Sequence, residues 1–131
     1  MSTESIQITE QLPVSANRVY TAWLDSTEHT AMTGGTATAE PIADSDHSAW
    51  DGYITGKTLE LEEGKRILQS WRTSEFPQDA EDSLLEILLQ DNEHGCLVTL
   101  NHSNIPEGQG EQYNSGWKDH YFDPMKVYFS A

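Results

Sequence analysis

The stretch from Glu111 to Phe129, EQYNSGWKDHYFDPMKVYF, constrains this chain more than any other. It carries six of the chain's twelve aromatic side chains. Tyr113, Trp117, Tyr121 and Met125 recur every fourth residue and Tyr128 follows three later, the spacing of one apolar stripe on an α-helix. A helix of that length runs about 28 Å at ~1.5 Å per residue, enough to cross a small domain. Such a stripe has to be covered, so the rest of the chain must supply the covering surface. Pro124 interrupts the pattern. It has no amide hydrogen and leaves the carbonyl of His120 without its helical bond, so a kink or break is expected from Phe122 to Pro124, where the last turn follows a curved surface.

The upstream sequence supplies that surface as strands. Ser5 to Leu12 alternates, with Ile6 and Ile8 on one side, and Pro13 ends it. Ser15 is a good N-cap, and Ala16, Val19, Tyr20, Trp23 and Leu24 follow at helical spacing, which predicts a helix from Ser15 to about Asp25. A second short helix is expected over Glu28 to Thr33, broken by Gly34-Gly35. The text then changes to strands and turns. Thr36 to Ile42 reads as a strand with Pro41 suited to an edge, and Ala43 to His47 as a polar turn. Ala49 to Thr55 carries Trp50 and Tyr53 and is broken by Asp51-Gly52, which suggests a bulge or a tight bend. Thr58 to Glu62, Arg66 to Thr73, Leu84 to Gln90 and Cys96 to His102 all alternate and are joined by short turns. Short connections make consecutive strands antiparallel. The expected fold class is α+β: a curved antiparallel sheet wrapped around the long C-terminal helix, with two short helices after the first strand. There are no internal repeats and no linker, so residues 1–131 are expected to form a single domain.

Composition narrows the function classes. Twenty-two acids against seven bases give a net charge of −15, which repels nucleic acid and anionic membranes. No apolar run approaches the roughly 20 residues of a membrane span, and MSTESIQITE has neither the basic nor the apolar part of a signal peptide. One cysteine, Cys96, excludes an internal disulfide and fits a reducing cytoplasm, where a monomer is expected. Cys96 reads as a small core residue. The five histidines are scattered, which argues against a metal, and no cofactor motif is present. There is no Gly-x-Ser-x-Gly elbow and no phosphate-cradling loop.

What remains is an aromatic set that suits an apolar pocket with polar handles: Trp23, Trp50, Tyr53, Trp71, Trp117 and Tyr121. Met32 and the inward-facing Leu85, Ile87 and Val98 join it, as does His102, which shares a strand face with Val98 and Leu100. On that face the histidine reads either as a satisfied residue at a strand end or as a ligand contact. Trp117 is expected to seat the helix. Arg72, opposite Trp71, is expected to pair with a neighbouring carboxylate at the surface.

Several stretches also carry a resemblance: Trp50-Asp51-Gly52-Tyr53-Ile54-x-Gly56, Lys65-Arg66-Ile67-Leu68-Gln69-Ser70-Trp71-Arg72, Asn104-Ile105-Pro106, Gly116-Trp117, His120 to Met125, and Tyr128-Phe129. In this order, from Ser15 to Phe129, the chain resembles the activator of heat-shock protein 90 ATPase homologue family, within the START-like, birch-pollen-allergen-like helix-grip group. The resemblance implies a long C-terminal helix across a cavity, and binding of a small apolar or amphipathic molecule without catalysis. It implies two alternatives: a co-chaperone-like module acting on a heat-shock protein 90 type ATPase, and a cyclase- or hydrolase-like enzyme. The eukaryotic activators that name the family carry a separate N-terminal domain with much of the chaperone contact, and this sequence starts at the helix-grip part.

Overall fold

The computed structural model describes residues 3–130. Met1, Ser2 and Ala131, which the reading of the N-terminus and of a domain over 1–131 included, lie outside them. The elements are β1 (Thr3–Leu12), α1 (Ala16–Trp23), α2 (Ser26–Thr33), β2 (Asp46–Ala49), β3 (Ile54–Glu62), β4 (Arg66–Thr73), β5 (Ser83–Asn92), β6 (Gly95–Pro106), α3 (Gly110–Trp117) and α4 (Asp123–Ser130), with a wide π-helical turn (Lys118–Phe122) joining the last two. The six strands form one sheet in the order β1-β6-β5-β4-β3-β2, every pair antiparallel. One face of β4, β5 and β6 is buried at every second residue, and the C-terminal helix contributes Trp117, Phe122 and Met125 to the core packed on it. This is the α+β arrangement the sequence leads one to expect. Among the described residues no helix is long and apolar enough to cross a membrane.

The two short helices are set by their caps. The Ser15 hydroxyl accepts the Arg18 N–H (3.2 Å), and the Asp25 carboxylate accepts that of Glu28 (2.9 Å). Asp25 therefore separates two helices where the periodicity alone runs the first one on to that residue. Gly34 ends α2 with φ 85°, a left-handed cap that glycine adopts without strain.

Two strand expectations are corrected. Thr36 to Ile42 forms a single bridge, Thr38 with Ser48, and no strand. Its amides are taken by α2 side chains instead: Thr30 Oγ1 accepts the Ala37 N–H (3.0 Å) and Ser26 Oγ that of Ala39 (2.9 Å). The break expected at Asp51-Gly52 is a tight bend that divides Ala49 to Thr55 between two strands, while Asp46 and His47 belong to β2 rather than to a turn. β2 ends at Ala49 and β3 begins at Ile54, because Trp50, Asp51 and Gly52 all take positive φ (53°, 57° and 89°) and reverse the chain. Arg72 is as expected, paired with Asp82 (2.8 Å) on the outer face.

The C-terminal helix is also corrected. It does not break from Phe122 to Pro124: α3, the wide turn and α4 follow one another without interruption, and the irregularity lies at Lys118–Phe122. The Asp123 N–H donates to the Lys118 carbonyl, one residue further back than in an α-helix. Pro124 then stands in the first turn of α4, where an amide hydrogen is not needed.

Candidate functional site

A cleft of about 440 Å³ opens between the β2–β3 turn, β4 and the first half of the C-terminal helix. Trp50, Tyr53 and Ile54 line one side and Trp71 the strand side, while Tyr113, Gly116, Trp117, His120 and Tyr121 come from the helix. The aromatic rings form a continuous wall, with centroids of Trp71–Tyr113 at 5.0 Å, Trp71–Trp117 at 5.5 Å and Trp117–Tyr121 at 4.7 Å. Trp50 is held at the mouth by an unusual backbone. A bulky residue rarely takes a left-handed conformation. Here the turn is fixed by the Asp51 N–H on the Thr36 carbonyl and the Tyr53 N–H on the Trp50 carbonyl (3.0 and 3.1 Å). The indole stands edge-on to His120 and Tyr121. It also covers Gly35, where a Cβ would fall 2.3 Å from the ring.

Polar groups gather at one end of this cleft. The Tyr113 hydroxyl donates to Gln109 Oε1 (2.6 Å) and accepts from Thr73 Oγ1 (2.7 Å). Tyr53 donates to the Glu75 carboxylate, which also accepts from Gln112 Nε2 (2.8 Å). Burial pushes the Tyr113 phenol up to about 12 and raises Tyr53 and Tyr121 as well, so all three keep their protons at neutral pH.

His102 lies behind the aromatic wall, 1% exposed. Trp117 Nε1 is 3.1 Å from its Nδ1. An indole can only donate, so Nδ1 accepts and the proton sits on Nε2. Nε2–H therefore donates to Ser83 Oγ (2.8 Å), whose own hydrogen goes to the Trp71 carbonyl (2.6 Å). Burial pushes the imidazole down to about 3, so it is neutral. A histidine that donates to a serine cannot take that serine's proton, so this pair is not set up as nucleophile and base. Among the described residues no three His, Cys, Asp or Glu side chains converge as a metal site requires.

A second, inner crevice of about 10 Å³ lies against Trp23, His29, His47, Gln69, Ile54, Trp71 and Tyr121. Trp23 Nε1 donates to Gln69 Oε1 (3.3 Å), and Gln69 Nε2 to Thr58 Oγ1 (3.1 Å). His47 Nε2 reaches the Ser70 carbonyl (2.7 Å).

The structure brings five of the residues read as cavity-lining into the cleft: Trp50, Tyr53, Trp71, Trp117 and Tyr121. Trp23 borders the inner crevice. Met32, Leu85, Ile87, Val98 and His102 lie in the packed interior. Sequence reading did not single out Ile54, Gln112, Tyr113, Ser115, Gly116, Asp119 or His120 for the site, although all line the cleft. The helical members were findable, since 113, 116, 117 and 120 fall on one side of a helix. His29 and Gln69 carried no local signal, because their partners stand in other elements.

A family model described as activator of Hsp90 ATPase homolog 1-like protein matches residues 13–130. An activator of 90 kDa heat shock protein ATPase homolog from Dictyostelium discoideum is 24% identical over 98% of this chain and 34% of its own length. An uncharacterised protein of Schizosaccharomyces pombe is 28% identical over 87% of this chain and 34% of its own. The chain thus spans about a third of the length of the curated relatives it matches. Among solved structures, an HSP90 activator from Plasmodium falciparum superposes with a TM-score of 0.86 at 21% identity, covering 96% of each chain. The protein CalU16 from Micromonospora echinospora gives 0.81 at 21% identity, covering 96% of this chain and 74% of that one. At these identities the structures establish the fold alone, and the family rests on the match of the model over residues 13–130: the chain belongs to the activator of Hsp90 ATPase homolog 1-like family.

Proposed function

We propose that this protein binds a small apolar or amphipathic molecule in the cleft between the β2–β3 turn, β4 and the C-terminal helix. The cleft itself supports the reading. Its volume of about 440 Å³ falls within the roughly 300–1,000 Å³ of ordinary ligand sites. Its walls are aromatic, with phenol and amide groups at one end to orient a guest. An amide-resolved NMR titration with flavonoids, fatty acids and sterols tests it. Saturable shifts confined to Trp50, Tyr53, Trp71, Gly116, Trp117 and Tyr121 are the expected result. Absence of saturable shifts from every class overturns the reading.

A second reading has its own support. The Plasmodium falciparum structure described as an HSP90 activator aligns over 96% of both chains, so a chain of this extent carries that description elsewhere in the fold. An action on the chaperone is read from its ATPase rate with increasing amounts of this protein. A rate that stays flat through saturating amounts removes this second reading and leaves the first.

A further inference from the structure

The cleft has an electrical sign as well as a shape. Trp50, Tyr53, Trp71, Trp117 and Tyr121 make its wall, and the face of such a ring is electron-rich. At the mouth, a Cβ on Gly35 would fall 2.3 Å from Trp50 Cε3 and 2.7 and 2.8 Å from that atom's ring neighbours Cδ2 and Cζ3. Gly35 therefore stands over one face of the indole, and the cleft meets the other face and the edge. At the polar end, the hydrogens of Tyr53 and Tyr113 are committed to Glu75 and Gln109, so these two oxygens offer a guest only lone pairs.

The charges around the cleft have the same sign. Asp119 lines it and is exposed, and the Glu75 carboxylate stands at its edge, held by Tyr53 and Gln112. Among the described residues no lysine or arginine lines it. Lys118, next to Asp119 in sequence, turns to Asp123 (3.2 Å), and Arg72 turns to Asp82 on the outer face of the sheet (2.8 Å). A net charge of −15 adds a field of the same sign over the whole molecule.

We infer that the cleft's ligand is an amphipathic cation, an ammonium group on an apolar body, with the ammonium against the aromatic wall and Asp119 as its counter-charge. This rests on the cleft being a ligand site. An apolar wall alone would take neutral molecules and fatty acids as readily. Electron-rich ring faces attract a cation, and the surrounding carboxylates attract it further while they repel an anion.

The test compares three phenols on the full ¹⁵N-labelled chain: meta-hydroxyphenyltrimethylammonium, meta-tert-butylphenol and meta-hydroxybenzenesulfonate. The first two share one shape and differ by a single charge, and the third reverses that charge. The cation is expected to bind about tenfold more tightly than the butylphenol, and the sulfonate least. Its saturable shifts are expected at Trp50, Tyr53, Trp71, Gly116, Trp117 and Tyr121. Asp119→Asn, at an exposed position, is expected to reduce the cation's advantage about threefold. Equal binding of cation and butylphenol, tighter binding of the sulfonate than of the cation, or an advantage unchanged in Asp119→Asn overturns the inference. So do cation shifts that spread over the acidic surface and leave the cleft still. Wherever the butylphenol gives saturable shifts in the cleft, ligand binding there stands without the charge preference. No saturable cleft shift from these three, nor from flavonoids, fatty acids and sterols, overturns both.

Discussion

Trp117 joins sheet and helix in two ways at once. Its indole is 2% exposed among aromatic neighbours, and its N–H begins the chain through His102 and Ser83 to the Trp71 carbonyl. The two contributions are separable by substitution. Trp117→Ala removes the ring and is expected to cost about 3–5 kcal/mol. Trp117→Phe keeps most of the ring and deletes the donor. It strands the lone pair of His102 Nδ1 in the interior, at a cost of about 1–3 kcal/mol. Denaturant unfolding of the two variants checks both values, and a Trp117→Phe protein as stable as the parent would mean that the chain contributes nothing. The seating role of Trp117 was legible in sequence because a stripe names its own members. Its bond was not, since nothing local tells an indole which of five histidines it will meet.

At the scale of the element, the C-terminal helix resolves a conflict written into its sequence. Side chains spaced strictly by four drift about 40° per step on a helix of 3.6 residues per turn. Over four steps from Tyr113 the drift reaches about 160°, which carries Phe129 to the far side. The wide turn at Lys118–Phe122 takes back about one residue, or roughly 100°. Tyr121 and Phe122 are consequently both buried, and Phe129 is buried after Met125, while Tyr128 turns outward to bond Glu28 (2.8 Å). The stripe was legible and its last member was not, because residue spacing assumes one helical period throughout. The same turn accommodates Pro124. Deleting Asp119, an exposed residue of the wide turn, is expected to restore regular α-helix and place the proline in a helix interior, costing about 3 kcal/mol. Pro124→Ala alone is expected to cost less than about 1 kcal/mol, through the freer unfolded chain. Combined with the deletion it should recover most of the loss. Additive costs in this double-mutant cycle would show that proline and wide turn are independent.

The whole molecule gathers three histidines from different elements into its interior: His29 on α2, His47 on β2 and His102 on β6. The strand of His102 and the short helix of His29 could be read from the sequence, whereas the strand of His47 reads as a polar turn. The burial of the three could not be read, because each hydrogen-bond partner, the Trp23 and Ser70 carbonyls and the Trp117 indole, is supplied by the fold. Burial is the largest influence on all three and lowers each one's affinity for a proton, His102 to about 3. The unfolded chain has ordinary histidines near 6.5. Between these limits the unfolded state binds more protons than the folded one, so stability rises with pH there. The stabilisation is complete above about pH 6.5 and is lost progressively as pH falls, at up to about 1.4 kcal/mol per pH unit for each histidine. Acidification also relieves the repulsion among 22 acidic side chains, which works in the opposite sense. Carboxylates titrate mainly below about pH 5, however, so the histidines dominate between about 5 and 6.5. Unfolding at about pH 5.5 is therefore expected to take up close to one proton at His102 and a further fraction at His29 and His47, read calorimetrically in buffers of different ionisation enthalpy. His47→Ala is expected to reduce that uptake, and His102→Ala to reduce it by close to one proton. An uptake near zero at that pH would mean that the three imidazoles are protonated within the fold.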